Sequence, residues 1–108
     1  MRKALVKYKN QPAAELQQLD DGTFFFHYLD SWFNNERNPA VSITLPKKQQ
    51  VYKSPFLFPF FFNMLPEGSN KQSVCFQNRI DESDHFGILL TTAATDTIGA
   101  VTIEKIEN

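Results

Sequence analysis

The stretch Pro55-Phe56-Leu57-Phe58-Pro59-Phe60-Phe61-Phe62-Asn63-Met64-Leu65-Pro66-Glu67-Gly68 decides how this 108-residue chain is read. Five of the eleven phenylalanines fall between Phe56 and Phe62. Pro55 and Pro59 suit an extended entry followed by the first turn of a helix, where a missing N–H costs nothing. Pro66 and Gly68 stop that helix, because Pro66 cannot continue it and Gly68 tolerates positive φ. The spacing predicts a short helix from about Pro59 to Leu65. On a 3.6-residue period, Phe58, Phe61, Phe62 and Leu65 share one face. Phe60 and Met64, also apolar, are left pointing elsewhere. A helix apolar on nearly all sides must be covered on nearly all sides. A chain of this size can cover one face with its own core, so the other face asks for a second protein. The competing reading is that loops bury the whole segment internally.

Composition sets the frame around this segment. The length fits one domain, 1–108, with a small core and modest stability. A hydrophobic share of 42% against 21% charged residues argues for an ordered chain rather than a disordered one. No apolar run approaches the roughly 20 residues needed to span a bilayer. The N-terminus lacks the long apolar region of a signal peptide. Cys75, the single cysteine, excludes an internal disulfide framework and fits a reducing cytosol. The net charge is −1, but residues 1–54 carry eight Lys or Arg against five acids, and residues 55–108 carry three against seven. Such asymmetry orients a domain on a partner. It is too dilute to indicate nucleic acid, which requires a concentrated basic patch.

Along the chain, Lys3 to Lys9 alternates loosely and predicts a first strand, followed by a turn at Asn10-Gln11-Pro12. Ala14 to Leu19 breaks the period of two and predicts a bulged strand. Asp20-Asp21-Gly22 has tight-turn chemistry, and Thr23 to Leu29 is an aromatic strand apolar on both faces. Asp30 to Asn38 reads as a turn or short 3₁₀ segment around Trp32 and Phe33. Val41 to Leu45 alternates and predicts another strand, ended by Pro46, and Lys47 to Lys53 reads as a basic loop. Ser69-Asn70-Lys71-Gln72 matches a capping box with Ser69 as N-cap, opening a helix to Arg79 or Ile80 whose apolar surface is Val74, Cys75 and Phe76. Asp81 to Asp84 is an acidic break before a second helix, since Phe86, Leu89, Leu90 and Ala93 follow helical spacing. Thr95 to Gly99 is a turn, and Gly99 to Ile103 a closing strand. The fold class is α+β: a small twisted antiparallel sheet, read as a partial barrel, with two or three short helices.

Catalytic and metal-binding chemistry is missing from the pattern. His27 and His85 have no Cys, His or carboxylate partner at a familiar ligand spacing. Cys75 on a helix reads as a small buried hydrophobe. The four glycines are scattered singly, so there is no phosphate-cradling loop. Asp84-His85-Phe86-Gly87 is not the kinase Asp-Phe-Gly motif, because His85 interrupts it. Asp81, Glu82 and Asp84 read as solvated carboxylates at a helix start. Lys47, Lys48, Tyr52 and Lys53 read as a solvated loop rather than a nucleic-acid contact. The expectation is a protein with no cofactor, no metal and no enzymatic activity.

Several stretches together carry a family resemblance. They are Thr23 to Tyr28, Ala40 to Pro46, Pro59 to Gly68, Asp84 to Leu90 and Asp96 to Val101. In this order they resemble the N-terminal subdomain of HipA-type serine/threonine kinases, the toxins of bacterial toxin–antitoxin pairs. The family pattern has a Ser-x-x-Leu-Pro strand end, a Phe-Phe-x-x-Leu-Leu-Pro-Glu-Gly helix and a closing Asp-x-x-Gly-Ala turn. The resemblance spans roughly residues 3–104, and its most specific block is Leu65-Pro66-Glu67-Gly68. Met64 stands where the pattern has leucine, a tolerated volume match. The kinase core that follows this subdomain in a HipA protein is not in the sequence.

A detached subdomain of this kind is similar to the HipS proteins of split HipBST systems. In those systems the kinase, HipT, is a separate chain, and HipB is a helix-turn-helix protein. The resemblance implies an antitoxin that binds a HipT-like serine/threonine kinase in trans and inhibits it, in the cytoplasm. A HipB-like helix-turn-helix protein is the second implied partner, without direct nucleic-acid contact by this chain. The residues assigned to the partner surface are Phe58, Phe60, Phe61, Met64, Leu65, Pro66, Glu67 and Gly68. The alternative is a non-inhibitory scaffold that stabilises the kinase or assembles it with the helix-turn-helix protein. Each aromatic anchor buries about 150–250 Å², so two or three supply several kcal/mol before association costs.

Overall fold

The structure, a computed structural model, describes residues 2–92 and 100–106. Its elements in chain order are β1 (Arg2–Tyr8), β2 (Gln11–Gln18), β3 (Phe24–Tyr28), α1 (Asp30–Phe33), β4 (Val51–Ser54), α2 (Pro59–Phe62), α3 (Gly68–Asn78), α4 (His85–Thr92) and β5 (Val101–Ile106). The strands form one antiparallel sheet in the order β4-β3-β2-β1-β5. It is an open sheet with β4 and β5 at its edges, not a closed barrel. The α+β class expected from the sequence is the class observed, with four short helices among the described residues where two or three were expected.

The first two connections are tight hairpins. Lys9 and Asn10 both take positive φ, 49° and 66°, as the turn geometry that matches strand twist requires. Gly22, at φ 88°, closes the second, and Asp21 accepts hydrogen bonds there from the Thr23 backbone and hydroxyl. A bulge is present, but it precedes the predicted Ala14 to Leu19 segment: Val6 pairs with Ala14 and Lys7 with Pro12, so Ala13 is the extra residue. That insertion puts Ala13 and Ala14 side by side in the core, whereas Leu19, whose spacing from Leu16 broke the period, lies beyond the end of β2.

One face of the sheet is the core face. Ala4, Val6, Ala14, Leu16, Phe24, Phe26, Tyr28, Val101 and Ile103 are buried there, with Phe58, Phe61, Phe86 and Leu89 from α2, its approach and α4. Phe26 is the hub, with Tyr28, Phe58 and Phe61 ring centroids 5.0, 6.2 and 5.8 Å away. The other face carries Leu5, Glu15, Gln17, Phe25 and His27, all partly exposed. Phe25 is shielded there by Lys53, whose Nζ lies 5.8 Å from the ring centroid.

Four local expectations are corrected. Val41 to Leu45 is not a strand but a turn, in which Leu45 N donates to Ser42 O and the Ser42 and Thr44 hydroxyls bond each other. Ser and Thr side chains bonding locally compete with a sheet ladder. The fourth strand instead lies at the end of the segment expected to be a loop: β4 pairs Tyr52 with Phe26 and Ser54 with Phe24. Ser69 is not an N-cap, because α3 starts at Gly68, with Glu67 at the cap position and no side-chain cap bond. Within α3 Cys75 is buried as expected, but Phe76 is exposed, at 86%.

Helix α3 ends on Arg79 in the left-handed conformation, with Ile80 N bonded back to Cys75 O at 2.9 Å. At the next helix, the acidic break marks the helix start as predicted, but only Asp81 and Glu82 are solvated; Asp84 is half-buried and paired. Asp84 Oδ1 accepts from Gly87 N at 3.1 Å, capping α4. The same carboxylate takes both amino groups of Arg2, at 2.6 and 3.0 Å, tying α4 to β1. Arg2 thereby holds Asp84 below the usual carboxylate range. The predicted helical residue Ala93, the turn at Thr95 to Gly99 and the first residue of the expected closing strand lie outside the described residues.

Candidate partner-binding surface

The aromatic segment is built by its prolines. Pro55 follows the last residue of β4, and Phe56 N donates to Ser54 Oγ at 3.1 Å, turning the chain off the sheet. Leu57 and Phe58 drop into the core at 7% exposure each. Pro59 then occupies the first turn of α2, which has a single α-helical turn. Beyond it, Met64 N bonds Phe61 O and Leu65 N bonds Phe62 O, an i→i+3 continuation. Gly68, at φ 58°, supplies the positive-φ residue anticipated there, although it opens α3 rather than closing α2.

The residues assigned to the partner surface divide. Phe58 and Phe61 are buried, Phe61 completely, and pack on Phe26, so the folded chain offers neither to a partner. Burying such rings contributes about 1.5–3 kcal/mol each, which is why the sheet takes them first. Phe60 and Met64 are partly buried against the same core, and Phe60 meets Phe61 edge-on at 5.2 Å. Leu65 and Pro66 are half-buried, and Glu67 and Gly68 exposed. Two aromatics of the segment that were not assigned to that surface are open: Phe56 at 76% and Phe62 at 48% exposure. The exposed edge of Phe62 leans on His85, with centroids 5.2 Å apart and rings perpendicular.

Two open clefts flank α2. The smaller, about 250 Å³, is lined by Phe62, Leu65, Pro66, Glu67, Gly68 and Lys71. It has an apolar floor and one charge of each sign, so it suits an uncharged or dipolar occupant. The larger, about 470 Å³, lies between Phe60, Tyr8, Val101 and the turn around Ile43, and among the described residues no charged side chain lines it. Ile43 is 96% exposed, a feature that the strand reading of Val41 to Leu45 concealed. Among the described residues, no group of three or more His, Cys, Asp or Glu side chains is arranged to hold a metal. His27 sits beside Glu15, with Nε2 to Oε2 3.6 Å. Lys47 donates to the Asn35 and Asn38 carbonyls and Tyr52 to Pro46 O, so two members of the basic-aromatic segment serve the loop itself.

Comparison with known proteins places this architecture. The sequence model of the HipA N-terminal domain matches residues 4–104. The chain belongs to the HipA N-terminal domain family. A solved structure of the N-terminal domain of HipA toxin superposes with a TM-score of 0.72 at 28% identity, covering 99% of this chain and 94% of that one. An uncharacterized Haemophilus influenzae protein is 35% identical over 80 residues, which are 74% of this chain and 73% of the relative. The candidate kinase Y4dM of Sinorhizobium fredii is 28% identical over 108 residues, covering 94% of this chain but 26% of its own. Of the blocks carrying the HipA resemblance, Ala40 to Pro46 and Pro59 to Gly68 meet at the larger cleft, through Ile43 and Phe60. The Asp84 block meets α2 through the His85–Phe62 contact. Among the described residues, no helix is long and apolar enough to cross a membrane.

Proposed function

We propose that this HipA N-terminal domain is a HipS-like antitoxin. It binds a HipT-like serine/threonine kinase in trans through the aromatic segment and inhibits it. The observation that carries the reading is the segment's exposed remainder: after Phe58 and Phe61 are spent on the core, Phe56 and Phe62 still face solvent, and Phe62 lines an apolar-floored cleft. Two such rings, each able to bury about 150–250 Å², have the character of interface anchors. Family membership supports a kinase as the partner. The Haemophilus influenzae relative supports a separate chain: 80 residues make up 73% of it, so the relative is itself short. In this reading the chain works by contact and not by catalysis. It either obstructs the kinase's nucleotide or substrate site or holds the kinase in an unproductive arrangement. A HipB-like helix-turn-helix protein would be the third component.

The test is a Phe56→Asp, Phe62→Asp double variant, co-expressed with a HipT-like kinase. Both rings are exposed, so the variant is expected to keep its circular dichroism spectrum and lose co-purification. A folded double variant that still co-purifies removes this segment as the interface. Kinase assays with and without the unmodified chain separate inhibition from the scaffold alternative. Activity falls on addition if the chain inhibits, and stays constant if it only stabilises or assembles.

A further inference from the structure

Residues 34–50 join α1 to β4 without a helix or strand. Structureless connections longer than roughly 12–15 residues are uncommon in compact domains and often carry function. This one is held firmly at both feet. Trp32 Nε1 donates to Pro39 O at 2.9 Å, and Val41 N donates to the Tyr28 hydroxyl at 3.0 Å. The same hydroxyl donates to Leu45 O, and Tyr52 donates to Pro46 O at 2.5 Å. Val41 and Leu45 are buried at 6% and 2% exposure, yet Ile43 between them is 96% exposed. A single exposed isoleucine ordinarily means nothing. Here three buried or half-buried aromatic side chains fix the backbone that displays it, beside a cleft with no charged lining among the described residues. A side chain held in place before contact loses little entropy on binding.

We infer that the Ile43 turn and the adjoining cleft form a second contact for the same protein partner that engages α2, receiving uncharged apolar side chains from it. This rests on the reading of α2 as part of the interface. Two observations select that occupant. Phe60 walls the larger cleft and Phe62 the smaller; two residues apart, they point to different sides of α2, so a partner that straddles this single turn reaches both clefts. Area gives the second: a stable interface takes about 800 Å² and 20–30 residues from each side. The smaller cleft and Phe56 supply only a fraction of that number, so a partner seated on α2 must extend beyond it. Toward Ile43 the cleft lining among the described residues is uncharged, with no ion there to desolvate.

Titration calorimetry of a purified HipT-like kinase with Ile43→Asp, Phe62→Asp and the unmodified chain tests this. Ile43→Asp is expected to leave the melting temperature unchanged and to weaken binding by about tenfold or more. If Phe62→Asp loses affinity while Ile43→Asp stays within about threefold of the unmodified chain, the second contact is overturned and the α2 reading stands. If only Ile43→Asp loses affinity, the α2 reading falls, and with it the shared occupant inferred here. If the unmodified chain does not bind, both fall.

Discussion

Replacing Tyr28 by phenylalanine removes one oxygen and isolates what holds the loop over the sheet. The ring is fully buried and keeps its contacts with Phe26 at 5.0 Å and Phe33 at 6.5 Å. The cavity left is therefore small. The loss is polar: Leu45 C=O loses its donor and Val41 N–H its acceptor. A net hydrogen bond contributes about 0.5–1.5 kcal/mol, and an orphaned buried group costs about 1–3 kcal/mol. Because the loop can relax toward water, we expect a destabilisation of about 2 kcal/mol for the pair. At about 4–8 °C per kcal/mol for a domain of this size, the melting temperature should fall by about 8–16 °C.

The same hydroxyl gives a pH signature. Burial pushes the Tyr28 pKa up from 10.0 to about 12. Between these values the unfolded chain loses the proton and the folded chain keeps it. The folded state then binds more protons, so stability falls as pH rises, by at most about 1.4 kcal/mol per unit. Below pH 10 the contribution is complete. Tyr28→Phe should remove this share of the alkaline slope, leaving that of Tyr52, which burial also raises. Urea unfolding followed by circular dichroism from pH 8 to 11 measures both effects. A variant as stable as the parent, with the same alkaline slope, would refute the claim that this hydroxyl organises the loop.

Two further predictions concern the link between β1 and α4. Asp84→Ala removes a helix cap and a partly exposed ion pair, and should cost about 1–2 kcal/mol in chemical unfolding near neutral pH. Because the Asp84 pKa is lowered in the folded chain, its contribution is present above the ordinary carboxylate pKa and is lost on acidification. The difference between parent and variant should therefore shrink below about pH 4. Gly87→Ala would add about 0.5–1 kcal/mol of stability in an unobstructed helix. Here a Cβ would fall 2.4 Å from Asp84 Oδ2, so thermal unfolding should show no gain.

The parts of the fold that the sequence announced are those decided by neighbours along the chain. The Asp20-Asp21-Gly22 hairpin and the helix start at Asp84 each depend on a few adjacent residues. The parts it concealed depend on who pairs with whom. Val41-Ser42-Ile43-Thr44-Leu45 has strand composition, but Tyr28, thirteen residues before Val41, claims its backbone. Val51 to Ser54 looked too polar for a strand. Its alternation was nevertheless legible, with Tyr52 and Ser54 more covered and Val51 and Lys53 facing solvent, as an edge strand requires. The strand pattern at Val41 drew attention away from the turn that bares Ile43, so that part of the surface was missed.

The candidate site shows a different relation between pattern and structure. An ideal helix put Phe62 inside with Phe58 and Phe61, and put Phe60 and Met64 outside. The segment instead makes one α-helical turn set by its docking on the sheet, and then tightens to i→i+3 bonds, which rotates Met64. Phe60 and Met64 turn toward the core, and Phe62 turns out. The inference of surplus apolar surface survives this change of phase. In a segment apolar at Phe56, Leu57, Phe58, Phe60, Phe61, Phe62, Met64 and Leu65, any rotation leaves some ring outside a core that seats only part of it. What the rotation changes is the meaning of each substitution. Asp at position 60 or 64 places a carboxylate against the core and reports on folding. Asp at position 56 or 62 enters water already present and reports on the partner. The double variant at 56 and 62 is therefore the informative one, and its loss of binding with an unchanged melting temperature is the outcome that the exposed rings require.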